Sequence, residues 1–140
     1  MTSQEKLKKV YISVSFDHRN KLITELDSIK KALVENDFEP WVFVEHYSFL
    51  AKEENVMMKT ALKDIEESAF LIAETSEKGI GIGIEAGFAK GKNKTVVYIR
   101  NQNASHSTTL SGLSDYQIFY KNSDDLYQQI QAVLFQLKSR

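Results

Sequence analysis

Short apolar runs alternate along this chain with segments in which apolar residues recur every three or four positions. Residues 10–16 are apolar and β-branched and read as a first strand. Leu22, Ile23, Leu26, Ile29, Leu33 and Val34 then share one face of an amphipathic helix, with Asp17 as its N-cap. Residues 41–44 read as a second strand, entered through Pro40, on which Trp41 and Phe43 alternate as core residues. Met57, Ala61 and Ile65 mark a second helix that ends near Glu67. Residues 69–73, Ala-Phe-Leu-Ile-Ala, form a third strand that is apolar on both faces. A glycine-rich turn covers 79–83, and a short helix over 85–90 is stopped by Gly91. Residues 95–99 and 117–120 are the fourth and fifth strands. Ser123 caps a last helix with Leu126, Ile130, Val133, Leu134 and Leu137 on one face.

Strand–helix alternation with a doubly apolar strand predicts a parallel sheet covered by helices on both faces. Five strands predict a flavodoxin-like, doubly wound α/β domain of order 2-1-3-4-5 spanning the chain. Ligands on such sheets bind beyond the carboxyl ends of the strands, at the switch between strands one and three. That rule singles out residues 15–19 and 74–85. The polar connection 101–116 is long for a compact domain and is expected to carry a short helix at 108–113 or to shape a site.

Composition narrows the function classes. The chain has 140 residues, the size of one ordinary domain. Its 18 basic and 19 acidic residues leave a net charge of -1, which argues against a nucleic-acid polymer as partner. There is no cysteine, so disulfide scaffolds, thiolate metal sites and thiol nucleophiles are excluded. No apolar run reaches the roughly 18 residues of a membrane span, and the N-terminus lacks a signal-peptide core, so the expected location is the cytoplasm. His18, His46 and His106 show no helical ligand spacing, so no metal is expected. His18 and Arg19 follow the first strand, where they would either meet a phosphate or start a helix.

Chemistry concentrates in the segment 76–87. Gly79, Gly81 and Gly83 alternate, a pattern that allows close backbone approach to a ligand and positive φ. It fits neither a Walker loop nor a dinucleotide fingerprint, and a tight structural turn would explain it as well. Glu85 is expected in the first turn of the following helix. There it either complements the helix dipole or faces the cleft as a carboxylate nucleophile.

Three stretches together resemble the nucleoside 2-deoxyribosyltransferase superfamily, which includes the 2'-deoxynucleoside 5'-phosphate N-hydrolases. They are Ser-Ala-Phe-Leu-Ile-Ala-Glu at 68–74, Gly-Ile-Gly-Ile-Glu-Ala-Gly-Phe-Ala at 81–89 and Lys-Thr-Val-Val-Tyr-Ile at 94–99. Val-Tyr-Ile-Ser at 10–13 is similar to the family's first strand, and Glu45-His46 to a pair in the hydrolase branch. Ser107, five residues before Gly112, matches a phosphate-binding serine of that branch.

The resemblance implies cleavage of an N-glycosidic bond by double displacement. Glu85 would attack the anomeric carbon, and water or a second base would resolve the glycosyl ester. Tyr11 would orient Glu85, although a buried core tyrosine is the alternative. Ser15, Gly79, Gly81, Gly83, Ser107 and Asp64 complete the implied substrate-binding set. Ala61 occupies the position of the family's site aspartate, and Asp64, one turn on, is its substitute or else a solvated helix-end residue. Gly79 stands where the two branches carry serine or aspartate. The implied partner is a small nucleoside or nucleotide, with no cofactor. The implied assembly is a homo-oligomer of at least two copies in which 101–116 is lent to a neighbour. The competing expectation is a nucleotide-binding or sensing module without turnover.

Overall fold

The central strand β3 (Phe70–Glu74) is buried at every position, as a strand apolar on both faces must be. The computed structural model describes residues 6–139 and, for 16–18, the backbone only. Around β3 lie β1 (Lys8–Ser13), β2 (Phe38–Val42), β4 (Thr95–Asn101) and β5 (Tyr116–Tyr120), all parallel, in the order β2-β1-β3-β4-β5. This is the expected doubly wound sheet. The helices are α1 (Ile23–Glu35), α2 (Phe43–His46), α3 (Glu54–Glu66), α4 (Ile80–Gly91), α5 (Thr108–Leu113) and α6 (Ser123–Lys138). One face of the sheet packs against α1 and α6 through Ile12, Leu26, Ile29, Ile72 and Leu126. The other packs against α3, α4 and α5 through Tyr11, Ile65, Leu71, Ala86 and Leu110. Among the described residues no helix is long and apolar enough to cross a membrane.

Several boundaries differ from the sequence reading, each for a physical reason. β1 spans Lys8–Ser13 rather than 10–16, pairing from Lys8 with Phe38 to Ser13 with Ala73. The chain then enters a 3-10 turn, Phe16–Leu22, so Asp17 lies inside that turn and Leu22 precedes α1. β2 begins before Pro40, which pairs with Val10 in the register. A proline is tolerated there because β2 is an edge strand. Phe43 opens α2 instead of extending β2, and Trp41 is half-buried. Asn122, not Ser123, caps α6, its side chain accepting from the Asp125 amide at 2.8 Å.

The largest change concerns the glycines. Residues 80–83 are the first turn of α4, not a turn before a helix. No glycine among the described residues has positive φ, and Gly79 is an extended N-cap. Each helical glycine costs about 1 kcal/mol relative to alanine. Burial of Ile82, Ala86 and Ala89 against the sheet offsets that cost, which propensity alone could not reveal. Gly91 still belongs to the helix, and Asn93 supplies the left-handed residue that ends it, with φ 62°.

Candidate active site

Because α4 starts at Ile80, Glu85 sits in its second turn, beyond the first-turn amides, and complementing the dipole is no longer its explanation. Its carboxylate is instead taken up by β1. The Tyr11 hydroxyl donates to Oε2 at 2.6 Å and the Ser13 hydroxyl donates to Oε1 at 2.6 Å. Tyr11 and Ser13 are two apart on a strand, so both side chains leave the same face of the sheet, the one α4 covers. Burial holds the Glu85 carboxyl above the ordinary carboxylate range, and the Ser13 and Tyr11 hydrogen bonds pull it back. Tyr11 is wholly buried, and burial with the Glu85 charge pushes its hydroxyl far up, so it stays a donor at every working pH. Its ring is both a core element and a hydrogen-bond donor, which joins the two expectations for it.

Ser13 is the residue that sequence reasoning missed. The signal was available: alternation from Tyr11 places position 13 on the same face, two residues on along the strand. Ser15 lies past the strand end, where its Cβ would be 4.0 Å from a Cβ built on Gly79. The loops after β1 and β3 therefore meet, as the switch-point rule expects.

Gly79, Gly83 and Ser107 line one cavity of about 360 Å³, together with Thr75, Lys78 and Thr109. Neither Glu85 nor Gly81 is among the residues lining it. Gly81 is exposed, and a Cβ there would meet nothing within 4 Å. At Gly79 the nearest foreign atom would be Ile82 Cδ1, at an ordinary 3.6 Å. Neither φ nor space demands glycine at 79, 81 or 83; what glycine provides is bare backbone along an open surface.

Ser107 is the N-cap of α5. Its hydroxyl accepts from the Leu110 amide at 3.3 Å, and its own amide donates to the Tyr98 hydroxyl at 2.9 Å. The preceding loop is gathered by Arg100, whose Nη1 donates to the carbonyls of Asn101, Gln102 and Ala104.

Asp64 is not solvated. It is 5 % exposed, and its Oδ2 accepts from Trp41 Nε1 at 3.0 Å and from the Tyr47 hydroxyl at 2.8 Å. Burial and the Asp64 partner push Tyr47 up to about 12. Ala61 is buried in the core. His46 stacks on Trp41 with ring centroids 3.5 Å apart, and Glu45 pairs with Lys30 at 2.8 Å. Beside Tyr11, Phe43 borders an aromatic cleft of about 450 Å³ that Tyr47, Phe49, Met57 and Arg19 also line. The side chain of His18 lies outside the described residues. Among the described residues no three His, Asp or Glu side chains converge as metal ligands.

A second carboxylate, Glu74, is completely buried at the end of β3. Its Oε1 accepts from the Ser76 amide at 2.6 Å, and its Oε2 accepts from the Tyr120 hydroxyl at 2.6 Å. Burial raises its carboxyl, and the Tyr120 and Ser76 hydrogen bonds oppose the rise.

No family model matches the chain, and no curated protein matches it. Solved structures do. CMP N-glycosidase BcmB from Clostridium botulinum superposes with a TM-score of 0.68 at 19% identity, over 90% of this chain and 99% of that one. A conserved protein from Enterococcus faecalis V583 gives 0.70 at 14% identity, over 91% and 99% of the two chains. A 3-dehydroquinate dehydratase-like protein from Bifidobacterium longum gives 0.53 at 12% identity, over 95% and 98%. At these identities the likeness establishes the fold.

Proposed function

We propose that this chain cleaves or transfers the N-glycosidic bond of deoxynucleosides or deoxynucleoside 5'-monophosphates, as a member of the nucleoside 2-deoxyribosyltransferase superfamily. The observation that carries the reading is the half-buried Glu85 carboxylate, held by two short hydrogen bonds from Tyr11 and Ser13. The shared fold with a structure described as a CMP N-glycosidase supports it.

In this reading one Glu85 oxygen attacks the anomeric carbon as the bond to the base breaks. The electron pair of that bond leaves with the base, which takes up a proton from solvent water. The transition state is oxocarbenium-like, so a fixed anion beneath it is stabilising before any bond forms. Water or a second base then attacks the same carbon, restores the carboxylate and retains configuration. Burial makes the carboxylate more basic, and the two hydroxyls hold its plane without supplying a competing proton. The aromatic cleft next to Tyr11 suits a flat leaving base. Lys78 and the bare backbone at Gly79 and Gly83 suit a phosphate; Gly81 would extend that backbone. Ser107 lines the same cavity as Lys78 and is a phosphate contact there. Ile80 and Ile84, 85 % and 52 % exposed on α4, support a homo-oligomer. The protein acts in the cytoplasm without a cofactor.

The test is to incubate the chain and its Glu85→Ala variant with the deoxynucleosides and their monophosphates, with and without an acceptor base, and to separate free base by chromatography. Base release that the variant loses by more than about a thousandfold, roughly 4 kcal/mol of barrier, is the expected result. Retention within about tenfold refutes the nucleophile. The second reading, nucleotide binding without turnover, draws on Asp64, whose Oδ2 is already occupied by Trp41 and Tyr47. It predicts saturable nucleotide binding with no base released from any substrate.

A further inference from the structure

We propose that Glu74 is a positioning residue that fixes the start of α4 and through it the Glu85 carboxylate; this rests on the reading of Glu85 as nucleophile. Glu74 is the last residue of an otherwise apolar strand and has no exposed surface. A buried carboxylate is costly unless its acceptors are filled, and an apolar residue would suit the strand core better. Its use must therefore lie in what it accepts. Ser76 donates twice, from its amide at 2.6 Å and its hydroxyl at 3.0 Å, and Tyr120 donates from β5 at 2.6 Å. The Ser76 hydroxyl in turn accepts from the Asn101 amide at 2.9 Å, and the Thr75 amide donates to the Ile99 carbonyl at 2.8 Å. One carboxylate thus ties the ends of β3, β4 and β5 to the loop that runs into Gly79, the N-cap of α4.

Alternation along β3 places Glu74 with Phe70 and Ile72, on the sheet face that α1 and α6 cover. Glu85, Tyr11 and Ser13 are on the opposite face. Glu74 therefore acts on the reaction through the loop and not by touching substrate. The coupling is steep because both Glu85 hydrogen bonds are already short, at 2.6 Å. A displacement of about 0.5–1 Å at the helix start takes the carboxylate out of register with Tyr11 and Ser13.

The experiment compares wild type with Glu74→Gln and Tyr120→Phe. Glutamine keeps the shape and loses one acceptor; phenylalanine keeps the ring and removes one donor. Amide hydrogen exchange over 75–83 is expected to quicken by about tenfold or more in Glu74→Gln, with α6 unchanged. The titration midpoint of the Glu85 carboxyl carbon, read by NMR, is expected to move by about half a unit or more. On a substrate that wild type cleaves, kcat is expected to fall about tenfold or more with KM within about threefold. Tyr120→Phe moves each readout the same way by less, and it decides the matter if Glu74→Gln does not fold. An unchanged Glu85 midpoint overturns the proposal even if exchange quickens and Tm falls, since Glu74 would then be structural only. If wild type releases no base from any substrate, the functional reading fails, and the Glu85 midpoint still decides the positioning role.

Discussion

Replacing Ser13 by alanine tests how the candidate site tunes its carboxylate. Burial raises the Glu85 carboxyl, and the Ser13 and Tyr11 hydrogen bonds lower it. Both bonds favour the charged form, so removing either raises the titration point further. A hydrogen bond to a charged group contributes about 1.5–3 kcal/mol, and one unit of pKa corresponds to about 1.4 kcal/mol. Ser13→Ala is therefore expected to raise the Glu85 carboxyl by about one to two units. Attack requires the ionised carboxylate, so activity falls as pH drops through that point, and the acid limb of kcat/KM must move to higher pH. The plateau above the limb is also expected to fall, by about tenfold to a hundredfold, from loss of orientation. Base release measured across mildly acidic to neutral pH gives the profile. Tyr11→Phe should displace the limb in the same direction. A limb that stays in place or moves down in both variants refutes the reasoning, because the hydroxyls would then not stabilise the charged form.

Three further outcomes follow from the same geometry. Glu85 has a folded-state carboxyl raised above its unfolded value, so the fold binds extra protons between those two values and loses stability as pH rises through them. Glu85→Gln is therefore expected to abolish base release while its Tm at neutral pH equals or exceeds that of wild type, measured by thermal melts. Ser107→Ala removes the cap of α5 and should cost about 0.5–2 kcal/mol. Ser107→Asp should restore the melt while raising KM for monophosphates and not for nucleosides, because it caps the helix but repels a phosphate. Asp64→Ala leaves the Trp41 and Tyr47 donors unpaired, at about 1–3 kcal/mol. Urea unfolding followed by fluorescence reads this directly, Trp41 being the chain's one tryptophan.

The pattern of apolar positions by itself determined the sheet, its order and the helices on either side, because burial on one or two faces leaves a period in the sequence. Met57, Ala61 and Ile65 specify α3, and the apolar run before Glu74 specifies the central strand. Residue type and position also singled out Glu85, while Tyr11 was singled out by the family resemblance. What the tertiary structure decided was register and contact. Whether 80–83 is turn or helix depended on burial of Ile82 and Ala86 against the sheet, since glycine locally favours the turn. Starting the helix there moved Glu85 from the first turn to the second and set it over Ser13. Asp64, for which helix spacing gave only a side of α3, accepts from Trp41 and Tyr47, residues remote in sequence. Spacing along one element says which face a side chain leaves from, and only packing between elements says which donor meets it there.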